Sequence, residues 1–311
     1  MRNSPPVEMT AAERRQLTAV VLAGLTEDLN GQPDWTSQAL IPAAATATVR
    51  AVVRAPGFVS GMAALESVYS QLHSQVTVKT FVDDGQQVPA KTIAAEITGP
   101  AAALLTGERT ALNVIMHLSG IATLTSKFVA AIAGVKENRA VILDTRKTLP
   151  GWRHLEKFAV RCGGGCNHRL GLYDGVLIKD NHLAFWTETA TRSYAEAAAV
   201  ARQRSPQEMK IEIEVESFAG YQEAIGGNPD IILLDNMSTD EMTRVVADRD
   251  QWKLKILLEA SGGVTLDTVA AIAKTGVDRI SVGALTHSAP ALDWSFDWGF
   301  SPRLVPGDVA G

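Results

Sequence analysis

Residues 140–182 read AVILDTRKTLPGWRHLEKFAVRCGGGCNHRLGLYDGVLIKDNH, and this stretch decides the fold. It opens on one apolar run at 140–143 and closes on another at 175–178, with a helical stretch between them. Both runs have the length of a strand and are bounded by polar or glycine residues. The order strand, helix, strand predicts two parallel strands joined by a crossover helix.

The same stretch is basic within an acidic chain. Residues 146–182 hold seven Lys or Arg and three His but only three acids, whereas the whole chain has a net charge of −5. A solvated basic face would account for the charge alone. However, a glycine run at 163–165 interrupts the cations, and several cations sit where the apolar runs end. The segment therefore predicts a binding site for an anionic ligand.

The alternation of strand and helix continues along the rest of the chain. Strand-like runs occur at 140–143, 176–178, 211–215, 231–234, 255–258 and 279–282, and helical stretches at 188–204, 218–224, 239–249 and 266–275 separate most of them. Near-continuous apolar runs such as DIILLDN fit strands that are buried on both faces of a parallel sheet. A closed β/α barrel usually has about eight strands, so six strands predict either a six-stranded, incomplete barrel or an open sheet.

The first third of the chain reads as a separate α+β region. Thr10 and Glu13 predict a helix cap, strand-like runs lie at 46–53, 76–82 and 92–97, a helix is predicted at 62–72, and residues 33–42 read as a connector. A long apolar helical pattern covers 106–135, with Gly120 and Gly134 as breaks, and we place the domain junction near it. We predict an N-terminal domain over 1–118, with the tail 290–311 packed on it, and a catalytic barrel domain over 119–289.

Composition is that of an ordinary globular protein. The 311 residues are 46% hydrophobic and 20% charged, no apolar run approaches the ~20 residues of a membrane helix, and the N-terminus lacks the apolar core of a secretory signal. Two cysteines do not make a disulfide framework, which favours the cytoplasm. The net acidity argues against nucleic acid, so we expect neither a membrane nor a nucleic-acid partner.

Polar residues follow every strand-like run of the barrel region. In chain order they are DTRK at 144–147, KDNH at 179–182, EVES at 214–217, DN at 235–236, EASGG at 259–263 and GALTH at 283–287. In a parallel β/α barrel the chemistry sits at the carboxyl ends of the strands, which all lie on one face. The convergence of six polar ends therefore predicts an active site on that face.

Two features of these strand ends allow more than one interpretation. Glu214 and Asp235 end neighbouring strands, where paired carboxylates can hold Mg²⁺, bond sugar hydroxyls, or act as acid and base. A salt bridge to the basic stretch explains them equally well. Residues 261–263 and 281–283 place glycines where backbone N–H groups can approach a phosphate, with ordinary tight turns as the alternative.

Several segments together resemble the quinolinate phosphoribosyltransferase family. They are ERTALN at 108–113, LDTRKTLPG at 143–151, GGG at 163–165, NHRLGLYD at 167–174, LIKDNH at 177–182, EIEVE at 212–216, LDN at 234–236 and SGG at 261–263. Any one of these segments is unspecific, whereas their combination and order are highly specific. The resemblance extends over most of the chain.

The resemblance implies a reaction, a fold and an assembly. Quinolinate and phosphoribosyl pyrophosphate would give nicotinate mononucleotide, pyrophosphate and CO₂ in NAD biosynthesis, with Mg²⁺ as the cofactor. The fold would be an N-terminal α/β sandwich followed by a six-stranded, incomplete β/α barrel. The assembly would be a homodimer, or a higher oligomer, in which Arg109 is donated across the interface.

The resemblance also implies which residues form the site. Those that would bind substrate are Arg109, Thr145, Arg146, Lys147, His168, Arg169, Lys179, Glu214, Asp235, Ser261, Gly262, Gly263, Ser281, Val282 and Gly283. Catalytic roles would fall on Lys147, Lys179, Glu214 and Asp235, and the two acids would be the possible Mg²⁺ ligands. Our hypothesis is that the three arginines and His168 clamp the carboxylates of quinolinate, because arginine forks suit planar carboxylates. The two lysines would face the pyrophosphate or the substrate.

Two other functions remain open from the sequence. A lysine at a strand end, Lys179, would suit a barrel aldolase that forms a Schiff base with its substrate. A non-catalytic relative would bind quinolinate without turnover. Borohydride trapping on Lys179 would identify the first, and binding without release of CO₂ would identify the second.

Overall fold

The computed structural model describes residues 7–188 and 193–299 of the chain. The chain divides into two compact units, one formed by Met1–Gly120 with Pro290–Gly311 and the other by Ile121–Ala289. Residues 300–311 of the predicted tail lie outside the described part, as do residues 189–192 of the helical stretch predicted at 188–204.

The strand-like runs predicted from the sequence appear in the same order in the structure, together with several short elements that were not predicted. The helices described are α1 (Ala11–Leu29), α2 (Trp35–Leu40), α3 (Ala63–Leu72), α4 (Ala101–Ala133), α5 (Arg153–Cys162), α6 (Asp180–Glu188), α7 (Tyr194–Arg204), α8 (Phe218–Ala224), α9 (Thr239–Gln251), α10 (Val269–Lys274) and α11 (Ala284–His287). The strands described are β1 (Thr46–Val53), β2 (Gly57–Phe58), β3 (Thr77–Thr80), β4 (Gln87–Val88), β5 (Thr92–Pro100), β6 (Val141–Leu143), β7 (Val176–Ile178), β8 (Ile211–Val215), β9 (Ile231–Asp235), β10 (Leu257–Ser261), β11 (Arg279–Ser281) and β12 (Trp294–Asp297).

The first unit is built on a four-stranded sheet in the order β12-β1-β5-β3, with antiparallel pairing throughout. Helices α1 and α3 pack against each other. Helix α1 begins with the predicted capping box, in which the Thr10 hydroxyl accepts from the Glu13 N–H and the Glu13 carboxylate accepts from the Thr10 N–H. Strand β12, which the sequence analysis did not predict, pairs with β1 and so completes the sheet of the first unit.

Helix α2 lies in residues 33–42, which the sequence analysis interpreted as a connector. Asp34 caps this short helix, because its carboxylate accepts hydrogen bonds from the N–H groups of Thr36 and Ser37 at 3.1 Å each. Asp before a short apolar segment is a helix-start signal. Pro33 and Pro42, one at each end of the segment, obscure this signal.

Helix α4 continues through Gly120, where the sequence predicted a break. Glycine is needed there for close packing, since a Cβ would lie 2.2 Å from the carbonyl oxygen of Pro290. The helix ends at Ala133, directly before the second predicted break at Gly134. Of the helices described, α4 is long and apolar enough to cross a membrane by length and composition, although half of its most apolar window is buried inside the protein. Core helices share that property.

The second unit is a six-stranded parallel sheet in the order β6-β11-β10-β9-β8-β7. Each strand pairs with the next in sequence, except that the first, β6, pairs with the last, β11. Among the described residues β6 and β7 do not pair, so the sheet is open between them, and the predicted six-stranded, incomplete barrel is confirmed. Every residue of β8 is buried, as expected for a strand covered on both faces.

Strand β10 extends farther than its apolar run predicts. It covers Leu257–Ser261, whereas the sequence predicted 255–258. Glu259 lies inside the strand and is fully buried because the Arg279 guanidinium neutralises it, with Nε and Oε2 2.6 Å apart. A paired charge can therefore continue a buried strand that an unpaired charge would end.

Candidate active site

Two arginines lie close together near the carboxyl end of β6. Arg146 follows β6, and Arg169 lies in the loop after α5, where its Nη1 donates to the carbonyl of Gly175 at 2.7 Å. Burial, and then the nearby positive charge of Arg146, lower the pKa of the Arg169 guanidinium. The Nε of Arg146 is buried and has no hydrogen-bond partner among the described residues. The two guanidinium groups carry like charges, and one of them has a buried N–H without a partner. A bound anion would offset both unfavourable features.

A buried ion pair organises the backbone next to these arginines. Asp144, at the end of β6, is 0% exposed and Lys157, from α5, is 1% exposed. The Lys157 ammonium donates to Asp144 and to the carbonyl of His168, the latter at 2.9 Å. Asp144 also accepts from Asn167 Nδ2 at 2.6 Å and from the His168 N–H at 2.9 Å. One carboxylate therefore joins the end of β6, the helix α5 and the loop that precedes Arg169.

His168 is buried, and both of its ring nitrogens face protein groups. Nε2 lies 3.1 Å from Glu212 and 3.3 Å from Glu259, and Nδ1 accepts the Arg169 N–H at 2.7 Å. Burial lowers the pKa of His168, but the two carboxylates outweigh burial and raise its pKa to about 9. The bond from the Arg169 N–H requires the neutral ring with its proton on Nε2, whereas the charged ring carries a proton on both nitrogens, so Nε2 is protonated in either form. The ring supports the Arg169 backbone and has no free nitrogen for the predicted carboxylate clamp.

Glu212 and Glu259 form the acidic side of this buried cluster. Burial, and then the charge of Glu259, raise the pKa of Glu212. Burial would also raise the pKa of Glu259, but His168 and Arg279 outweigh it and lower that pKa. With His168 these acids are the one group in the described residues whose ligand atoms, all within 4.8 Å of one another, could hold a metal ion. Because a protonated Nε2 cannot bind a metal, the cluster is better explained as an ion-pair network.

A lysine and two carboxylates lie at the ends of three successive strands. Lys179 follows β7, and its ammonium donates to Glu214 of β8 at 2.9 Å. Glu214 is buried and Lys179 is half exposed. Asp235 ends β9 and accepts from Asn236 Nδ2 at 2.7 Å. The second oxygen of each carboxylate has no partner among the described residues. The structure thus brings the predicted catalytic acids to adjacent strand ends, with the Glu214 salt bridge as one part of the arrangement.

The loop after β10 presents unused backbone donors. Gly262 and Gly263 have φ values of 93° and 57°, in the region that favours glycine. Within the described residues their N–H groups make no hydrogen bond. The loop therefore has what a phosphate site needs, namely backbone N–H groups without a competing side chain.

In the segment 281–283 after β11, the Ser281 hydroxyl and the Val282 N–H already have protein partners. The Ser281 hydroxyl is buried and faces the carbonyl of Ala260 at 3.4 Å, and the Val282 N–H donates to the carbonyl of Leu143 at 2.9 Å. Both donors are therefore used within the sheet. The N–H of Gly283 makes no hydrogen bond within the described residues, and the substrate-binding roles of Ser281, Val282 and Gly283 stay predictions.

Lys147 lies against the end of this segment. Its carbonyl accepts from the Thr286 hydroxyl at 2.7 Å, and its N–H donates to the Thr145 hydroxyl at 3.0 Å. A Cβ on Gly283 would lie 3.0 Å from Lys147 Cδ. Lys147 is exposed and forms no ion pair with the described residues, so its ammonium is available to an anion. Thr145 shapes the turn that carries both Arg146 and Lys147.

Arg109 belongs to a different unit from the other predicted site residues. It lies on α4 in the first unit and is exposed, whereas the remaining predicted residues all belong to the second unit. Among the described residues it has no ion-pair partner. Its role in a site stays a prediction.

The sequence alone does not identify the buried charged residues that position the site residues. It groups Lys157 with the cations of a basic stretch, and it treats Glu212 and Glu259 only as parts of strand-end segments. A usable signal exists in HLEKFAV, IEIEV and LLEAS, where charged residues stand inside apolar runs. Because charges are rarely buried unless paired, such positions predict buried ion pairs.

Comparisons with known proteins agree over most of the chain. The model of the quinolinate phosphoribosyl transferase N-terminal domain matches residues 34–119, and that of the C-terminal domain matches residues 121–297. A probable nicotinate-nucleotide pyrophosphorylase (carboxylating) of Bacillus subtilis is 42% identical over 279 residues, which cover 90% of this chain and 92% of that protein. The human nicotinate-nucleotide pyrophosphorylase (carboxylating) is 34% identical, and the match covers 93% of this chain and 94% of that protein.

A solved structure extends the agreement to the fold. The nicotinate-nucleotide pyrophosphorylase of Francisella tularensis has a TM-score of 0.84 and 36% identity to this chain, with 95% of this chain and 99% of that one covered. Three findings indicate the same family. They are the matched domain models, the identity to the relatives and the incomplete barrel. The chain belongs to the quinolinate phosphoribosyltransferase family.

Proposed function

We propose that this chain catalyses the reaction of quinolinate with phosphoribosyl pyrophosphate, which gives nicotinate mononucleotide, pyrophosphate and CO₂ in de novo NAD biosynthesis. The observation that carries the proposal is the pair Arg146 and Arg169, with the buried, unpartnered Nε of Arg146. A dicarboxylate suits two adjacent guanidinium forks, because each fork can bind one carboxylate in a bidentate manner. The names of the family relatives describe the same transformation for those proteins.

The two substrates divide the strand ends between them. Arg146 and Arg169 bind the quinolinate carboxylates, and His168 fixes the backbone of Arg169 from inside the barrel. The unbonded N–H groups of Gly262 and Gly263 bind phosphate oxygens of the second substrate. Lys147 and Lys179 add positive charge where the pyrophosphate leaves. This division gives the anion-binding residues two separate tasks.

Glu214 and Asp235 fit a magnesium ion. Each has a carboxylate oxygen without a protein partner among the described residues, and Mg²⁺ is usually bound by one or two carboxylates together with phosphates and water. When bound there, Mg²⁺ would neutralise charge on the pyrophosphate. The carboxylates themselves offset the positive charge that develops at C1 of the ribose as its bond to pyrophosphate breaks.

The bond changes require no covalent enzyme intermediate. The ring nitrogen of quinolinate forms a bond to ribose C1 while the bond from C1 to the pyrophosphate oxygen breaks. The ring nitrogen is then positively charged. The ring can therefore accept the electron pair left when the adjacent carboxylate departs as CO₂, and a proton takes its place on carbon. The protein contributes positioning and fixed charges.

The direct test is an assay of product formation. Protein incubated with quinolinate, phosphoribosyl pyrophosphate and Mg²⁺ is expected to form CO₂ and nicotinate mononucleotide in equal amounts, and chelation of Mg²⁺ is expected to slow the reaction. A folded protein that binds quinolinate without forming product would instead be a non-catalytic relative. A Schiff base on Lys179 is disfavoured because this lysine is half exposed and paired with Glu214, whereas that chemistry needs a desolvated amine.

We further propose that the enzyme is a homodimer in which the partner's Arg109 completes the quinolinate clamp. The exposure of Arg109 on α4, without an ion pair among the described residues, supports this role. Variants Arg109→Ala and Arg146→Ala are each expected to keep less than about one hundredth of the wild-type activity. Their co-expressed mixture is expected to regain about a quarter of the wild-type activity, because random pairing in a two-fold dimer leaves one intact site in each mixed dimer.

Chromatographic isolation of the mixed dimer, with a different tag on each subunit, provides the control. Isolated mixed dimers without activity would contradict donation across the interface. Full activity of Arg109→Ala alone would remove this residue from the site.

The proposed location of the reaction is the cytoplasm. Neither Cys162 nor Cys166 forms a disulfide, which suits a reducing compartment.

A further inference from the structure

Asn236 adopts an uncommon backbone conformation at the carboxyl end of β9. Its φ is 53°, in the left-handed region that residues other than glycine seldom occupy. The other non-glycine residues described with positive φ are Asn30, Lys91, Glu137, Asn228 and Lys253. None of these follows the carboxyl end of a strand in the parallel sheet. An uncommon conformation at this edge of the sheet therefore indicates a local constraint.

The conformation lets Asn236 join two neighbouring segments. Its N–H donates to the carbonyl of Ser261 at 2.9 Å, which extends the β9–β10 pairing beyond Asp235 and Ser261. Its Nδ2 donates to the Asp235 carboxylate at 2.7 Å. Backbone and side chain thus hold the end of β9 and the start of the glycine loop together.

The opposite side of the Asn236 amide lies against Gly262. A Cβ on Gly262 would lie 2.2 Å from Asn236 Oδ1 and 2.9 Å from the backbone nitrogen of Asn236. The loop can approach so closely only because Gly262 has no side chain. The position of the loop donors therefore depends on where the Asn236 side chain lies.

We infer that Asn236 is a positioning residue for phosphoribosyl pyrophosphate, because it fixes the Asp235 carboxylate relative to the N–H groups of Gly262 and Gly263. One side of its amide orients the acid that faces the ribose, and the other braces the loop that binds phosphate. The inference rests on the proposed function, in which both groups bind this one substrate. Quinolinate is held at β6 instead, so the effect of Asn236 is specific to the second substrate.

Two variants separate the parts of this role. Asn236→Gly keeps a positive φ without strain but removes the amide. Asn236→Asp keeps the shape but replaces the donor to Asp235 with a like charge. Both are expected to lower kcat/KM for phosphoribosyl pyrophosphate by about tenfold or more, since a hydrogen bond to a charged group is lost. The KM for quinolinate, measured at saturating phosphoribosyl pyrophosphate, is expected to stay near the wild-type value.

Asn228→Gly is the matched control. Asn228 has a φ of 50° after the short 3₁₀ helix Ile225–Gly227 of the same unit, so this variant relieves the same backbone conformation away from the strand ends. Its kinetic constants are expected to equal those of the wild type. A purely structural role for Asn236 would lower the melting temperature and weaken both substrates alike, and that result would overturn the inference. Wild-type kcat/KM in both Asn236 variants would overturn it as well.

A separate measurement tests the role of Asn236 even if the proposed function is wrong. If the wild type forms no product, titration calorimetry with pyrophosphate compares the wild type with Asn236→Gly. An affinity about tenfold weaker in the variant would support the positioning role without reference to activity. An equal affinity would overturn it.

Discussion

Replacing Lys157 with methionine is expected to lower the free energy of unfolding by about 3–5 kcal/mol, because removal of one partner leaves a buried charge unpaired. Lys157 and Asp144 are 1% and 0% exposed, so water cannot take the place of the ammonium. The Lys157 ammonium also donates to the carbonyl of His168, and that bond is lost too. Methionine has a similar length, so the change removes charge without a large cavity. Urea unfolding followed by circular dichroism measures the effect.

Lys210→Met provides the matched surface control. The ammonium of Lys210 lies 3.0 Å from Asp230, and Lys210 is 72% exposed. Its loss is expected to change the free energy of unfolding by less than about 1 kcal/mol, as is usual for exposed pairs. The double variant Asp144→Asn, Lys157→Met should recover part of the stability, because it removes the unpaired charge. A loss for Lys157→Met no larger than that of Lys210→Met would contradict the prediction.

Arg146→Ala is expected to lower kcat/KM for quinolinate by about a hundredfold to ten-thousandfold, because a guanidinium fork supplies two charge-assisted hydrogen bonds of roughly 1.5–3 kcal/mol each. Arg146→Lys keeps the positive charge but loses the fork, so an intermediate loss is expected. The measurement is the rate of CO₂ release over a range of quinolinate concentrations. The melting temperature of each variant shows whether the fold is intact.

Arg139→Ala is the control for this series. Arg139 precedes β6 and pairs with Asp250 at 2.9 Å, and it is 47% exposed. Arg139 and Arg146 therefore flank opposite ends of the same short strand. Only the carboxyl end belongs to the site, so Arg139→Ala should keep the wild-type rate. A near-normal rate in Arg146→Ala would remove this residue from the clamp.

The sequence predicts the parts of the site that depend on strand period alone. Once the β-then-α repeat is recognised, Lys179, Glu214 and Asp235 fall on the ends of successive parallel strands, and parallel strands present these ends on one face. The structure brings these three residues to the ends of β7, β8 and β9 for the same reason. No knowledge of side-chain direction is needed for this inference.

The sequence does not predict the direction in which a loop side chain points. In NHRLG the histidine reads as a substrate ligand, yet the ring of His168 faces Glu212 and Glu259. Those partners come from strands far along the chain, so local sequence contains no information about them. Gly120 shows the same limitation, since its tight contact with Pro290 is invisible to local helix signals.

Each of the two larger sheets includes a strand that the ribosome makes late. Strand β6 pairs with β11 alone among the described strands, and β1 pairs with β12. Contacts between such distant segments form slowly, because the entropy of a long intervening loop must be lost first. Many multidomain proteins fold one domain at a time during synthesis, starting at the N-terminus. Here neither unit can complete its sheet until β11 and β12 have been synthesised, so we expect both units to complete their folding only after those late strands are available.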